Sequence, residues 1–197
     1  MTKHALALAT VAALLATTAC NKAGDHKSAQ TSEASKIAGD KTIAAGLPAD
    51  GKFMASAKAA GLDQTLAGPG PYTVLVPDDA AFTGAGDALA IDPSNRGKLT
   101  GTLTNLILPG TVLVADIDRA IDNNKGKDVL ATMGGGTLTA TKEGGKTVLT
   151  DSAGHKATIT KGDDMFSNGV VHHIDAMLMP SKEAAADAPA VGDKAGK

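Results

Sequence analysis

The order of local signals along this chain predicts an α+β fold. Three observations carry that expectation. Apolar spacing suited to helices is confined to the first half, and short alternating segments separated by turn residues fill the second. Nothing repeats the strand–helix–strand alternation of a doubly wound parallel sheet. Both halves fall within residues 40–180, a length at the usual mode for one hydrophobic core.

The elements follow in order. Asp50 is placed to cap a helix over Lys52 to Ala60, with Phe53, Ala57 and Ala60 on one face and Gly61 as its stop. Gly68-Pro69-Gly70-Pro71 enforces a turn before Tyr72-Thr73-Val74-Leu75-Val76, a β-rich apolar run that Pro77 ends. Asp78 or Asp79 then suits the cap of a short helix through Ala80, Ala81 and Phe82. Leu99, Leu103, Leu106 and Ile107 suggest a further helix, closed by Pro109-Gly110. Thr137 to Thr141, Lys146 to Thr150 and His155 to Lys161 read as a meander, with Glu143-Gly144-Gly145 and Asp151-Ser152-Ala153-Gly154 as its turns. Val170 to Asp175 reads as a last strand after Ser167-Asn168-Gly169.

The ends carry different information. Met1-Thr2-Lys3-His4 is a basic start, followed by an apolar stretch from Ala5 to Ala16 and small residues, the pattern of a secretory signal over residues 1–19. Spanning a bilayer takes about 20 apolar residues, and this stretch is shorter. Leu14 to Cys20 resembles a bacterial lipoprotein cleavage site, which makes Cys20 a lipidation candidate and a membrane anchor. Thr17 stands where such sites usually carry an aliphatic residue. The competing reading is cleavage after Ala19 with release of a soluble protein, which leaves the chain's single cysteine without a partner. Asn21 after the cysteine, in place of aspartate, points towards the outer membrane. Residues 20–39 read as a mobile tether and residues 181–197 as a disordered tail, both too poor in large apolar side chains to offset their ordering entropy.

Composition narrows the partners. The chain has 19 basic and 21 acidic residues, and losing Lys3 with the leader takes the net charge from −2 to −3. That balance does not direct the protein to nucleic acid. Tyr72, Phe53, Phe82 and Phe166 are its aromatic residues, too few to serve as stacking platforms for bases.

Two segments together resemble the fasciclin domain family. Tyr72-Thr73-Val74-Leu75-Val76-Pro77-Asp78-Asp79-Ala80-Ala81-Phe82 is similar to its first homology segment, and Asn168-Gly169-Val170-Val171-His172-His173-Ile174-Asp175-Ala176-Met177-Leu178-Met179-Pro180 to its second. The resemblance implies a β-wedge or sandwich with several helices packed against it, spanning residues 40–180. It also marks Thr73, Pro77, Asp79, Phe82, Asn168, Gly169, His172 and Pro180 as structural positions of the motif. It implies adhesion or protein interaction as the function. The tract Asn105 to Gly110 departs from the family by lacking a Tyr-His pair tied to adhesion in some members. Lys161-Gly162-Asp163-Asp164-Met165 keeps Asp163 and Met165 of an integrin-associated segment, while its loop chemistry favours a solvated loop.

Catalytic chemistry finds no footing in the pattern. His172 and His173 point to opposite faces of a strand, so they do not converge on one ion, and His172 suits a hydrogen-bonded core position. His155 and His173 still have the option of meeting near Asp163 or Asp164. Ser56, Ser94, Ser152 and Ser167 lack a nucleophile-elbow context, and Gly134-Gly135-Gly136 lacks the lysine of a phosphate loop. No cofactor, metal or catalytic residue is therefore expected. Asp163, Met165, His173 and Asp175 are the candidate binding residues. The expected partner is a surface or matrix protein or glycan, met by a lipid-anchored domain at the cell envelope. The alternative is a periplasmic ligand-binding or accessory lipoprotein.

Overall fold

Strand pairing organises the molecule around two segments nearly a hundred residues apart. In the computed structural model, which describes residues 39–83 and 89–180, β1 (Tyr72–Pro77) and β7 (Gly169–Ile174) lie side by side and parallel, with Tyr72 opposite Gly169 and Pro77 opposite Ile174. Both are rich in apolar residues and almost wholly buried, as strands covered on both faces are. The remaining pairs of the seven-stranded sheet are antiparallel, in the order β2-β1-β7-β6-β5-β4-β3. Here β2 is Ile107–Pro109, β3 Lys127–Ala131, β4 Thr137–Glu143, β5 Lys146–Thr150 and β6 Lys156–Phe166. The sheet bends back on itself, because the Met133 N–H just past β3 donates to the Ile107 carbonyl of β2 at 2.7 Å.

Helices cover this sheet: α1 (Ile43–Gly46), α2 (Lys52–Ala60), α3 (Asp63–Ala67), α4 (Asp79–Thr83), α5 (Arg96–Thr104) and α6 (Val114–Asn123). The class is mixed α and β, with the meander in the second half. Ile43, Leu66, Leu75, Leu99, Leu103, Leu106, Ile117, Leu138, Leu149 and Ile174 fill one continuous core. Gly61 ends α2 in the left-handed conformation, at φ 77°, which glycine adopts without a Cβ penalty.

Several local expectations need correction. Asp50 does not cap α2; Gly51 is the cap residue and offers no side chain. The Lys52 N–H is instead taken by Asp79 Oδ1 at 3.1 Å, so Asp79 caps a neighbouring helix from within the first turn of α4. Pro77 closes β1 from inside it, as the last paired residue. The helix expected to reach Ile107 stops at Thr104, because Ile107 and Leu108 gain strand pairing with Val74 and Thr73. Pro109-Gly110 therefore closes a strand, not a helix. The expected strand from His155 to Lys161 begins at Lys156 and runs on to Phe166. The tract Lys161 to Met165, expected as a solvated loop, is strand with register shifts on both sides of Lys161. Helix α6 and strand β3 were not anticipated. The leader, Cys20, the tether and the tail lie outside the described residues.

Candidate functional site

Alternation along β7 sends His172 inward and His173 to the opposite face. His172 is fully buried, its Nε2 lies 2.8 Å from the Val112 carbonyl, and its Nδ1 receives the Asp163 N–H at 3.0 Å. A backbone amide only donates, so Nδ1 is the acceptor and Nε2 carries the proton given to Val112. Burial pushes the His172 pKa below its ordinary value. The Val112 carbonyl and the nearby Asp163 and Asp164 carboxylates oppose that push without cancelling it.

This histidine sits in a chain of polar contacts that fastens three elements. Buried Thr73 of β1 donates its hydroxyl to the Gly110 carbonyl and accepts the Val112 N–H, both at 2.8 Å. Val112 passes the contact to His172, and His172 to Asp163. Asp163 lies at a positive φ of 60° in the irregular part of β6, and its Oδ1 accepts the Val114 N–H at 3.0 Å. Leu113, at the cap position of α6, supplies no side-chain bond of its own, so Asp163 serves as the cap. Gly162 permits the close approach, since a Cβ there would stand 2.4 Å from Val114 Cγ2.

The four candidate binding residues make separate contacts. Asp163 is committed to α6 as described. Met165 is partly buried opposite Val170 in the β6–β7 ladder. The Asp175 Oδ1 accepts the Thr158 N–H at 2.7 Å, tying the end of β7 to β6. The His173 Nε2 lies 3.2 Å from Asp164 Oδ2, which also holds the Lys161 ammonium at 2.7 Å. Burial pushes the Asp164 carboxyl up, but Lys161 and His173 outweigh it and hold the carboxyl below its usual range. His155 does not meet His173; its Nδ1 bonds Asp151 Oδ2 at 2.8 Å. Among the described residues, no group of three or more His, Cys, Asp or Glu side chains is placed to hold a metal ion.

His173 also forms one wall of a cleft of about 280 Å³ at the C-terminal ends of β1 and β7. Its other walls come from the α1–α2 connection, the start of α2, the end of β1 and the Asp78-Asp79 turn. Phe53 and Met54 reach it from α2, and Val76 and Pro77 from β1. Asp50, Asp78 and Asp79 stand exposed at its rim.

Two structural residues carry far more than the sequence suggested. Asn168, anticipated as a turn residue, is 7% exposed and bridges three backbone groups. Its Oδ1 accepts the Ile43 N–H at 2.8 Å, while Nδ2 donates to the carbonyls of Leu66 at 2.8 Å and Gly68 at 2.9 Å. Asp151, anticipated as a turn residue, has a side chain only 1% exposed. It accepts the N–H groups of Ala153, His155 and Met179, which pins the end of the domain to the β5–β6 turn. Burial pushes its carboxyl up, and the bonds from Met179 and His155 overcome that and leave it lowered. An Asp two residues before an N–H it can reach is a visible Asx-turn signal, but the contact to Met179 has no local signature.

A family model for the fasciclin domain matches residues 51–180. Protein sll1483 of Synechocystis sp. is 32% identical over 142 residues, covering 70% of this chain and 71% of that protein. Among solved structures, the FAS1 domain pair of the insect cell adhesion molecule Fasciclin I aligns at 25% identity with a TM-score of 0.47. That alignment covers 64% of this chain and 42% of the insect chain.

Proposed function

Because the chain belongs to the fasciclin domain family, we propose that it is a binding module of the adhesion type, exported and held at the cell envelope through Cys20. The observation that carries the reading is the family match over residues 51–180, which takes in both segments that build the paired strands β1 and β7. The relevant work is presentation of a surface, not turnover of a substrate. The carboxylates of β6 and of the end of β7 support this, since Asp163, Asp164 and Asp175 are committed to backbone N–H groups or neighbouring side chains.

Export and anchoring rest on the leader and on Cys20. A chain of about 20 residues between an acylated Cys20 and the domain would have a root-mean-square span of roughly 25 Å. That reach clears lipid headgroups and keeps the domain near the membrane. The partner would be a surface or matrix protein or glycan. The cleft beside His173 supports a second reading, a periplasmic ligand-binding lipoprotein, because it is concave with an apolar floor and polar groups at its rim.

Fractionation of cells carrying the native protein and a Cys20→Ser variant tests the anchor. The native protein is expected in the membrane fraction and the variant in the soluble fraction. Equal membrane association of the two would sink the lipid anchor. Loss of the gene is expected to reduce attachment or aggregation of cells, and unchanged attachment would count against adhesion.

A further inference from the structure

We propose that the cleft at the C-terminal ends of β1 and β7 receives a basic side chain, an arginine or lysine on a loop of a partner protein. The inference rests on the reading of the domain as a protein-binding module and assigns its contact chemistry. The floor is apolar, built from Leu47, Phe53, Met54 and Val76. The open mouth is acidic, with Asp50 and Asp78 at the rim. Asp79 stands beside them and takes the Lys52 N–H, while the Lys52 ammonium donates to the Asp79 main-chain carbonyl at 3.0 Å.

An apolar floor under a carboxylate rim matches a side chain that is itself apolar along its stem and charged at its tip. Lysine and arginine lay their methylenes on apolar surface while the head stays at the polar edge. A purely apolar side chain would cover the carboxylates without answering their charge. An acidic side chain would meet like charge at the rim. The cleft's volume of about 280 Å³ leaves room for one or two side chains. Rim carboxylates in contact with water attract weakly and are screened by salt, so the interaction is modest in strength and falls as ionic strength rises.

The test is an NMR titration of the intact isotope-labelled protein with two capped peptides, acetyl-Leu-Arg-Leu-amide and the same peptide with norleucine in place of arginine. The arginine peptide is expected to shift the amide signals of Met54, Val76 and His173, and the norleucine peptide to bind about tenfold more weakly. The double substitution Asp50→Asn, Asp78→Asn is expected to weaken the arginine peptide by about tenfold. Both positions are exposed, so the melting temperature should hold. Equal binding of the two peptides, indifference to the double substitution, or shifts confined to another face would overturn the proposal. Movement of the same amides on Lys36→Ser, Ile37→Ser without peptide would make the chain's own preceding segment the occupant, and would overturn the assignment to a partner. A protein that binds the arginine peptide yet does not support attachment would defeat the adhesion reading and leave the cleft standing.

Discussion

Asn168 shows how one side chain can decide a junction. Its amide answers three backbone groups, on Ile43, Leu66 and Gly68, that sit a hundred or more residues away in sequence. Asn168→Ala is expected to cost about 3 kcal/mol, because a buried group left without its partner costs about 1–3 kcal/mol. Denaturant unfolding measures it, and a loss below about 1 kcal/mol would contradict the role. His172 and Asp151 add a dependence on pH. Both have folded pKa values below their unfolded ones, so the folded state binds each proton less well. The His172 contribution is complete above its unfolded value of about 6.5 and is lost as pH falls from there through the folded value. The Asp151 contribution is complete above about 3.9 and is lost only below that. Unfolding free energy should therefore decline in two separate windows as pH is lowered, and the first should vanish in His172→Leu. A first window of equal size in that variant would show that another group causes it. The inward position of His172 was legible from alternation with Val170 and Ile174. Its partners were not, since Val112 and Asp163 come from elements with no fixed spacing to it.

At the scale of elements, two helices begin on aspartates borrowed from elsewhere. Asp79 takes the first N–H of α2, and Asp163 takes that of α6. Local reading assigned the α2 cap to Asp50, because cap rules look one or two residues upstream and cannot see a neighbouring element. The two assignments separate experimentally: Asp79→Ala should cost about 1 kcal/mol, the usual value of a lost cap, and Asp50→Ala only a few tenths. Equal costs would refute the borrowed cap. Strands β4, β5 and β7 were legible because alternation and turn residues bound them. Helix α6 was missed because Ile117 and Ile121 alone mark its buried face, although the stop at Lys125-Gly126, both at positive φ, was available. The extension of β6 through Lys161 to Met165 was missed because a bulged strand breaks the period of two on which strand reading depends. Parallel pairing of β1 with β7 brings Gly169 against Tyr72, where a Cβ would stand 2.0 Å from the Tyr72 carbonyl oxygen. Gly169→Ala is thus expected to destabilise the domain by about 2 kcal/mol or more, read as a lower melting temperature. An unchanged melting temperature would mean that the strands separate at little cost.

At the scale of the whole molecule, the described residues close around one continuous core. Both described ends are fastened: the Ser167 N–H donates to the Lys41 carbonyl, and the Met179 N–H to Asp151. Fold class was legible from the order of helix and strand signals, whereas the cleft was not. It forms where α2, the end of β1 and β7 meet, and no sequence spacing connects Phe53, Val76 and His173. Export was read from a strictly local pattern, so it stands apart from everything the domain reveals. The central proposal is that this fasciclin domain works as a binding surface displayed on the outside of the cell. Protease digestion of intact and lysed cells, followed by detection of residues 40–180, tests it most directly. The account predicts loss of the domain from intact cells while a periplasmic marker survives. Survival of the domain on intact cells, with loss only after lysis, would contradict it.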